Sequence, residues 1–521
     1  VLYHRTLNIG RVMSPTLALI VQREAEIDTF KPVPFYTIVL ELPEFSVSGE
    51  RMADKAAAKQ LKTACQGADV TVKKVERKDK SEKPPALYDL TTLQRDANRL
   101  LGFTAQQTLD YLQNLYEKKL CTYPRTDSRY LTSDMAEGLP VLVNLVANAM
   151  PFRKGIAISC DAGAVINDKK VTDHHAVIPT RNLQNADLSG LPVGERMILE
   201  LVALRLLCAV AEPHTYSETA VTVECAGAEF TAKGKTVKRP GWRALDAAYR
   251  AALKNAEPEA EDKALPELTE GQTLPLSGAT VKEGKTSPPK HFTEDTLLSA
   301  METAGKDDMP EDAERKGLGT PATRAAILEK LVAAGFVERK GKSLIPTKAG
   351  INLVTVLPDT LTSPILTAEW EQKLTGIARG EADPTSFLAG ISEITRELVK
   401  NYSHISEEGQ KLFAPERETV GLCPRCGKPV YEGRKNFYCS DRSCQFVLWK
   451  DDRFWTSRKK ELTKKMAGDL LKKGRTSVKG MWSEKKGSTY DAVVVLDDTG
   501  EKYVRFKLEF PKRKEGVNGK K

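Results

Sequence analysis

The chain has 521 residues, 40% of them hydrophobic and 29% charged, which is ordinary for a globular protein and too long for one core; three to five compact parts are expected. No apolar run approaches the ~18 residues needed to span a bilayer, which excludes a helical membrane protein. The net charge of +9 is uneven: Pro415 to Lys521 holds 27 Lys+Arg against 15 Asp+Glu, a net of +12, and leaves the rest at −3. A basic tail on a near-neutral body suits a polyanion such as nucleic acid, and equally a solvated, solubilising surface.

The opening "VLYHRTLNIGR" has neither a methionine nor a signal-peptide pattern and reads as the middle of a longer protein. Residues 11–30 predict a helix opened by Ser14-Pro15. "FYTIVLEL" and "VTVKKV" predict strands around the helix "MADKAAAKQLKTAC". "ERKDKSEKPPALYD" reads as a crossing linker, and 91–210 as a helix-rich block. Alternation returns in "YSETAVTVECAGAEFTAKGK" and "QTLPLSGATVKEGK", with the charged loop "KNAEPEAEDKALPE" between them. Strand-rich segments thus bracket a helical block, which predicts a discontinuous β part with the helical part inserted. From Thr293 to about Tyr402 the chain is helical again, and "ATRAAILEKLVAAGFVERKGKSLIPTKAG" predicts a helix followed by a hairpin wing. No repeat period is sustained.

Within the helical block, "LCTYPRTDSRYL" sets Tyr123 before Pro124, with Arg125 two residues on. The preceding helix is expected to open at Thr104 with Gln107 as its capping-box partner, and to carry Leu109, Leu112, Leu115 and Leu120 on its apolar side. Pro124 stops any helix and drives Tyr123 into extended backbone, so the phenol is held on a stiff strut. A phenol is a weak nucleophile at neutral pH and needs cationic help; Arg125 cannot act as a base but can grip a phosphate bidentately. The alternative is a turn with a tucked tyrosine.

Three other stretches carry polar chemistry. "TDHHAVIPT" pairs His174 with His175. "NIGRVMSPT" sets Gly10 and Arg11 before a helix N-terminus, and "GLGTPATRA" makes Thr320 an N-cap with Pro321 at the first helical position, leaving Thr323 and Arg324 in an anion-friendly first turn. Taken singly, each is also an ordinary helix cap. Five cysteines (Cys65, Cys121, Cys160, Cys208, Cys225) stand singly, mostly in apolar surroundings, and read as buried free thiols of a reducing cytoplasm.

The chain resembles the type IA DNA topoisomerases, especially the bacterial topoisomerase III branch, along nearly its whole length. The residues that carry the likeness are "NIGRVMSPTLALI", "LYDLTTLQRDANRLLGFTAQQTLDYLQNLYEKKLCTYPRTDSRYL", "DHHAVIPT", "GLGTPATRAAILEKL" and "LTAEWEQKL". The resemblance implies that Tyr123 attacks a DNA phosphodiester to give a 5′-phosphotyrosyl bond, that Arg125 binds the scissile phosphate, and that His174 contacts DNA at the cleavage site. It implies DNA contacts, mainly with single strands, from Asn8, Ile9, Gly10, Arg11, Val12, Met13, Gln94, Thr323 and Arg324. Met13 departs from the glutamine common at its position, so the polar contact there is open.

The family's Mg²⁺ is held by an N-terminal Toprim domain with an Asp-x-Asp-x-Glu cluster. No Asp-x-Asp occurs in these 521 residues, so this chain is expected to be a fragment lacking that domain and incomplete for catalysis.

The implied fold is multidomain α+β, with a toroid-like core of β hinge and helical domains, a C-terminal zinc ribbon and a basic module. The expected division is 1–35 as part of a helical base, 36–85 and 215–290 as the β hinge, and 86–214 as the tyrosine-bearing helical domain. Residues 291–412 complete the helical base with a winged-helix-like part, 415–455 form the ribbon, and 456–521 the basic module. A cytoplasmic monomer is expected.

The ribbon has a basis of its own. "CPRCGKPVYEGRKNFYCSDRSCQFVLWK" spaces Cys423, Cys426, Cys439 and Cys444 as Cys-x2-Cys-x12-Cys-x4-Cys, which suits a closed tetrahedral Zn²⁺ site and, less well, two disulfides. Its aromatics Tyr438, Phe446 and Trp449 suit either base stacking or a small core. Two rival functions share some of these features. A tyrosine recombinase would form a 3′-phosphotyrosine and needs no zinc; a zinc-containing single-strand-binding protein would have no nucleophile.

Overall fold

The computed structural model describes residues 7–153, 155–253, 263–305, 317–401, 412, 418–441, 443–500 and 503–510, in two compact units, Val1–Leu412 and Phe413–Lys521. The expected charged loop falls largely outside the described residues.

The first unit opens with helix α1 (Met13–Thr29), followed by β1 (Pro34–Glu41), β2 (Ser46–Met52), α2 (Lys55–Cys65) and β3 (Val70–Glu82). After the helical block come β4 (His214–Cys225), β5 (Ala228–Arg239), α7 (Arg243–Ala252), β6 (Thr273–Leu274) and β7 (Gly278–Lys285). These strands form one antiparallel sheet in the order β6-β3-β4-β5-β2-β1-β7, so segments 34–82 and 214–285 share it. Ile38, Leu40, Val47, Val70, Val72, Val221, Val223 and Phe230 bury one face, and Cys65 and Cys225 are interior thiols as expected.

The segment expected as a linker is strand as far as Glu82, paired with β4 from Thr71↔Glu224 to Glu82↔His214. Its charges do not prevent this, because cross-strand ion pairs such as Lys80–Glu218 (2.7 Å) and Lys238–Asp79 (2.6 Å) replace apolar contacts on a ribbon open to water. The true linker shrinks to residues 83–89.

Between β3 and β4 lie α3 (Leu90–Asp96), α4 (Ala105–Glu117), α5 (Leu139–Ala149) and α6 (Val193–Ala209). α6 is the block's spine: 11 of its 17 residues are buried, so the helix is apolar nearly all round. A polar knot ties the block to its linker. Tyr88 donates to Asp96 Oδ2 at 2.7 Å, Arg205 pairs with Asp96 and donates to Ala86 O at 3.2 Å, and Arg99 also pairs with Asp96. Burial alone would raise the Asp96 carboxyl, but Arg205 and Arg99 outweigh it and hold it below the usual carboxylate range.

The remainder of the unit is helical except for the wing: α8 (Glu294–Thr303), α9 (Pro321–Ala333), β8 (Val337–Lys340), β9 (Ser343–Pro346), α10 (Lys348–Val356), α11 (Asp359–Thr362), α12 (Ile365–Ala378) and α13 (Pro384–Asn401). The helix-then-hairpin expectation matches α9, β8 and β9.

The second unit has a four-stranded sheet, β10 (Thr419–Leu422), β11 (Pro429–Glu432), β12 (Asn436–Cys439) and β13 (Val447–Trp449). A one-turn helix Arg453–Thr456 and helix α14 (Lys464–Lys473) lead to a three-stranded sheet, β14 (Arg475–Ser483), β15 (Ser488–Asp497) and β16 (Arg505–Glu509). A ribbon and a separate basic module were expected; instead one core unites them. Cys423, Phe437 and Phe446 from the cysteine segment pack with Trp455, Leu470, Val478 and Val494. The Arg425–Asp498 pair, 2.6 Å apart with both side chains largely buried, joins the same two parts. A sheet of strands only three or four residues long has too little apolar surface to fold alone.

Candidate active site

α4 opens as its sequence indicates, with Thr104 and Gln107 in a reciprocal capping box, and buries Leu109, Leu112 and Leu115. It ends at Glu117, well before Pro124. Lys119 takes a φ of 59°, uncommon for a residue with a side chain, and reverses the chain. The Lys119 carbonyl accepts from the Thr180 hydroxyl and from Asn182 Nδ2 (3.0 Å), which holds the reversal in place.

Past the reversal, residues 120–122 run beside 178–180: Thr180 N donates to Leu120 O at 2.9 Å and Thr122 N to Ile178 O at 3.0 Å. The Thr122 hydroxyl donates to Ala176 O at 3.1 Å and accepts from Ile178 N at 3.0 Å. The Thr126 hydroxyl donates to His174 O at 2.9 Å, and Leu90 N, at the start of α3, donates to Thr126 O at 3.1 Å. "CTYPRT" and "HHAVIPT" are thus laced together at both ends of Tyr123.

Tyr123 is half-buried and lies outside any helix or strand, Pro124 is buried, and Arg125 is exposed. The His174 ring lies against the Tyr123 ring, with centroids 4.1 Å apart and planes at 34°. Tyr116, on the last turn of α4, meets Tyr123 edge to face at 5.6 Å and 87°. His175 is half-buried, with Nδ1 at 2.8 Å from Ala176 O. The result is a phenol on a fixed strut beside an imidazole, with a solvent-facing guanidinium two residues away.

The residues of "NIGRVM" cluster elsewhere in the unit. Asn8 and Ile9 are exposed, and Gly10 to Met13 are half-buried at the start of α1. Arg11 pairs with Glu371 at 2.6 Å, and the Thr367 hydroxyl, one turn earlier on α12, donates to Arg11 O. Both belong to "LTAEWEQKL", which the sequence marked as a segment without showing roles for its side chains.

At α9, Thr320 is the N-cap and forms a reciprocal cap with Thr323, Pro321 is the first helical residue, and Thr323 is exposed. Gly319, with a φ of 71°, sits where a Cβ would come within 3.3 Å of Val12, so the "GRV" and "GLGT" segments meet.

Gln94 and Arg324 are placed differently from the surface positions expected of DNA contacts. Gln94 is fully buried and donates through Nε2 to Ala105 O at 3.0 Å, tying α3 to α4. Arg324 is 2% exposed and donates to Leu318 O (3.2 Å) and Thr91 Oγ1 (3.0 Å), tying α9 to α3. Burial, only partly offset by Glu302 and Asp89, lowers its guanidinium below the ordinary arginine value. Through Arg324, α3 and Thr126, packing runs from the Arg11 group to the tyrosine strut. Tyr116, Thr122, Thr126, Thr367 and Glu371 had no role in the sequence reading; only Tyr116 left a trace there, as an aromatic on a helix that ends just before the nucleophile.

In the second unit, the Sγ atoms of Cys423, Cys426, Cys439 and Cys444 all lie within 4.8 Å of one another. Cys423 and Cys444 are 3.6 Å apart, and Cys426 and Cys439 3.4 Å. Four thiolates around Zn²⁺ at about 2.3 Å stand roughly 3.8 Å apart, so the cluster fits zinc with little adjustment. Gly427, at a φ of 73°, closes the first knuckle by donating to Cys423 O at 2.9 Å. Of the three aromatics noted beside the cysteines, Phe446 is core, Tyr438 is half-buried and Trp449 is 41% exposed.

A family model described as DNA topoisomerase matches residues 1–389. DNA topoisomerase 3 of Bacillus licheniformis is 38% identical over 468 residues, covering 85% of this chain and 63% of the relative. DNA topoisomerase 3 of Bacillus subtilis is 38% identical over 469 residues, with the same coverage. Full-length topoisomerase I of Thermotoga maritima superposes with a TM-score of 0.61 at 22% identity, over 85% of this chain and 71% of that one, a likeness of fold. The chain therefore spans 63% of the length of these two curated relatives.

Proposed function

The chain belongs to the type IA DNA topoisomerase family, on its topoisomerase III-like side, and we propose that it carries the nucleophile and the single-strand-binding surfaces of a protein that cuts, passes and reseals one DNA strand. The observation that carries this is the strut: within a matched family, Tyr123 stands half-buried on a non-helical segment fixed by backbone lacing, beside His174 and Arg125.

In the proposed step, the Tyr123 oxygen bonds to phosphorus and the bond from phosphorus to O3′ breaks. The phenolic proton leaves the tyrosine and a proton ends on the released 3′ hydroxyl; attack by that hydroxyl reverses the step and reseals the strand. Arg125 holds the non-bridging phosphate oxygens and stabilises charge as it builds. In this reading His174 steadies the phenol ring, which it lies against, and contacts the strand at the cleavage site. On the same reading Arg11, paired with Glu371, and the first turn of α9 bind other phosphates of the strand. No energy source beyond the phosphotyrosyl bond is needed, so the reaction is independent of ATP.

The Mg²⁺ implied by the family finds no ligand set here. Among the described residues the four cysteines are the only converging group of three or more metal-binding side chains, and thiolates suit zinc rather than Mg²⁺. No step above runs through Mg²⁺. Zinc does fit the cysteines, and its contribution when bound is to hold the fold of the second unit.

The polarity of the covalent adduct tests the reading. A single-stranded oligonucleotide labelled on the fragment 3′ of the cut should become protein-linked, and one labelled on the 5′ fragment should be released with a free 3′ hydroxyl. The opposite pattern would mean recombinase chemistry, and no adduct from the complete protein would leave only a binding role.

The net +12 of the tail supports a second contact with DNA. Each phosphate neutralised on a single strand adds about 0.7 to the log–log salt slope of binding. Deleting 413–521 is expected to flatten that slope by several units, measured by titrating a labelled oligonucleotide at several salt concentrations. An unchanged slope would make the charge a solvated surface.

Among the described residues no helix is long and apolar enough to cross a membrane. Single strands are the proposed preference, and a monomer the proposed state.

A further inference from the structure

Among the described residues no hydrogen bond reaches the Tyr123 hydroxyl. Backbone lacing fixes where the residue starts, but not where its phenol points; that is left to contacts of the ring. Two aromatic side chains supply them: His174 against the face at 4.1 Å, and Tyr116 edge to face at 5.6 Å and 87°.

We propose that Tyr116 is a positioning residue for strand cleavage: its ring, not its hydroxyl, holds the Tyr123 phenol at the angle needed for attack in line with the departing O3′. The proposal rests on Tyr123 being the nucleophile.

Tyr116 is well placed for this because its own position is stiff. It stands on the last turn of α4, whose end is pinned to α6 by Lys118 pairing with Glu195 and by Asn114 donating to Glu195 Oε1 at 3.1 Å. Glu195 is buried, so the carboxylate end of that anchor is shielded from solvent. The reversal at Lys119 then brings the chain back so that Tyr123, seven positions after Tyr116, meets the same helix end. Tyr116 is itself 40% exposed, so it adds little to the core. An edge-to-face pair restricts ring tilt while leaving the hydroxyl open, which suits a nucleophile that must meet a phosphate in one orientation.

The test uses the complete protein with a single-stranded oligonucleotide, and reads binding and adduct formation separately. Misplacing a reacting group by about an ångström costs up to about 100-fold. Tyr116→Ala should therefore slow single-turnover adduct formation about 10- to 100-fold while affinity stays within about twofold, and Tyr116→Phe should restore the rate. A second readout needs no cleavage: 3-fluorotyrosine placed at 123 should show a ¹⁹F resonance that moves in Tyr116→Ala and stays put in Tyr116→Phe.

Unchanged adduct formation in Tyr116→Ala overturns the proposal, as does a loss that phenylalanine fails to restore. Weakened binding with an unchanged single-turnover rate would make Tyr116 a base-stacking residue instead. If Tyr123→Phe still forms the adduct, the nucleophile reading fails on its own, and the fluorine shift alone decides whether the ring contact orients residue 123.

Discussion

Tyr123→Phe is expected to reduce covalent attachment to DNA below detection while leaving the fold and single-strand binding intact. The substitution removes one oxygen, and that oxygen has no hydrogen-bond partner among the described residues, so stability should change by no more than about 0.5 kcal/mol. The ring contacts with His174 and Tyr116 survive, because phenylalanine packs in the same space. Oligonucleotide affinity should stay within about twofold, since phosphate contacts from arginines and helix starts do not use the hydroxyl. Chemistry has no such reserve: without the oxygen there is no phosphotyrosyl bond, and relaxation of negatively supercoiled DNA by the complete protein should vanish with it. A denaturing gel of protein and labelled oligonucleotide checks this directly. Residual adduct would point to another hydroxyl, and Tyr116 and Tyr130 would be the first to examine.

The second large effect is expected at the cysteines. One Zn²⁺ per chain should be held by Cys423, Cys426, Cys439 and Cys444, and its removal should unfold the whole second unit rather than the cysteine loop alone. Cys423 and Cys439 are 2% and 5% exposed, and they belong to the same core as Phe437, Phe446, Trp455 and Val494. Zinc binding to such sites is worth about 10–16 kcal/mol, comparable with the entire stability of an ordinary domain at about 5–15 kcal/mol. Replacing all four cysteines by serine, or stripping the metal with a chelator, should make 413–521 protease-sensitive while 1–412 stays resistant. Metal analysis with limited proteolysis reads both parts. Carefully purified protein without zinc, or a second unit that stays resistant after the substitutions, would sink the idea.

Much of this architecture was legible in the residues. The cap at Thr104, the leucines of α4, the Thr320-Pro321 helix start and the cysteine spacing are local signals, each set by a few neighbours, and each stands where its chemistry put it. Signals that depend on distant partners were harder to read. The run after Val75 looks like a solvated linker because its charges hide a strand; only Glu218 and Lys238, far along the chain, make it one. The end of α4 is set by Lys119 in a left-handed turn, and the groups that hold it lie some sixty residues on at Thr180 and Asn182. Gln94 and Arg324 stand in segments that resemble DNA-contact motifs, yet both turn inward, because an amide or a guanidinium in a packed helix junction can satisfy backbone and hydroxyl groups as readily as phosphate. The single core of the second unit was invisible for a similar reason: the Arg425–Asp498 pair spans 73 residues.

The pairing of Glu82 with His214 has a further meaning. Those two residues are where the helical block leaves the sheet and where it returns, so 131 residues hang from the end of the β3–β4 pair as if from a hairpin turn. Closing a loop of that length instead of a tight turn of about four residues costs roughly 3 kcal/mol by the logarithmic scaling of loop entropy. A block already ordered around α6, with its ends brought together by the Tyr88–Asp96–Arg205 knot, has met that cost before the strands pair. The β3–β4 ladder then behaves as a local one, and a loosened knot would be felt in β-structure that contains none of its residues.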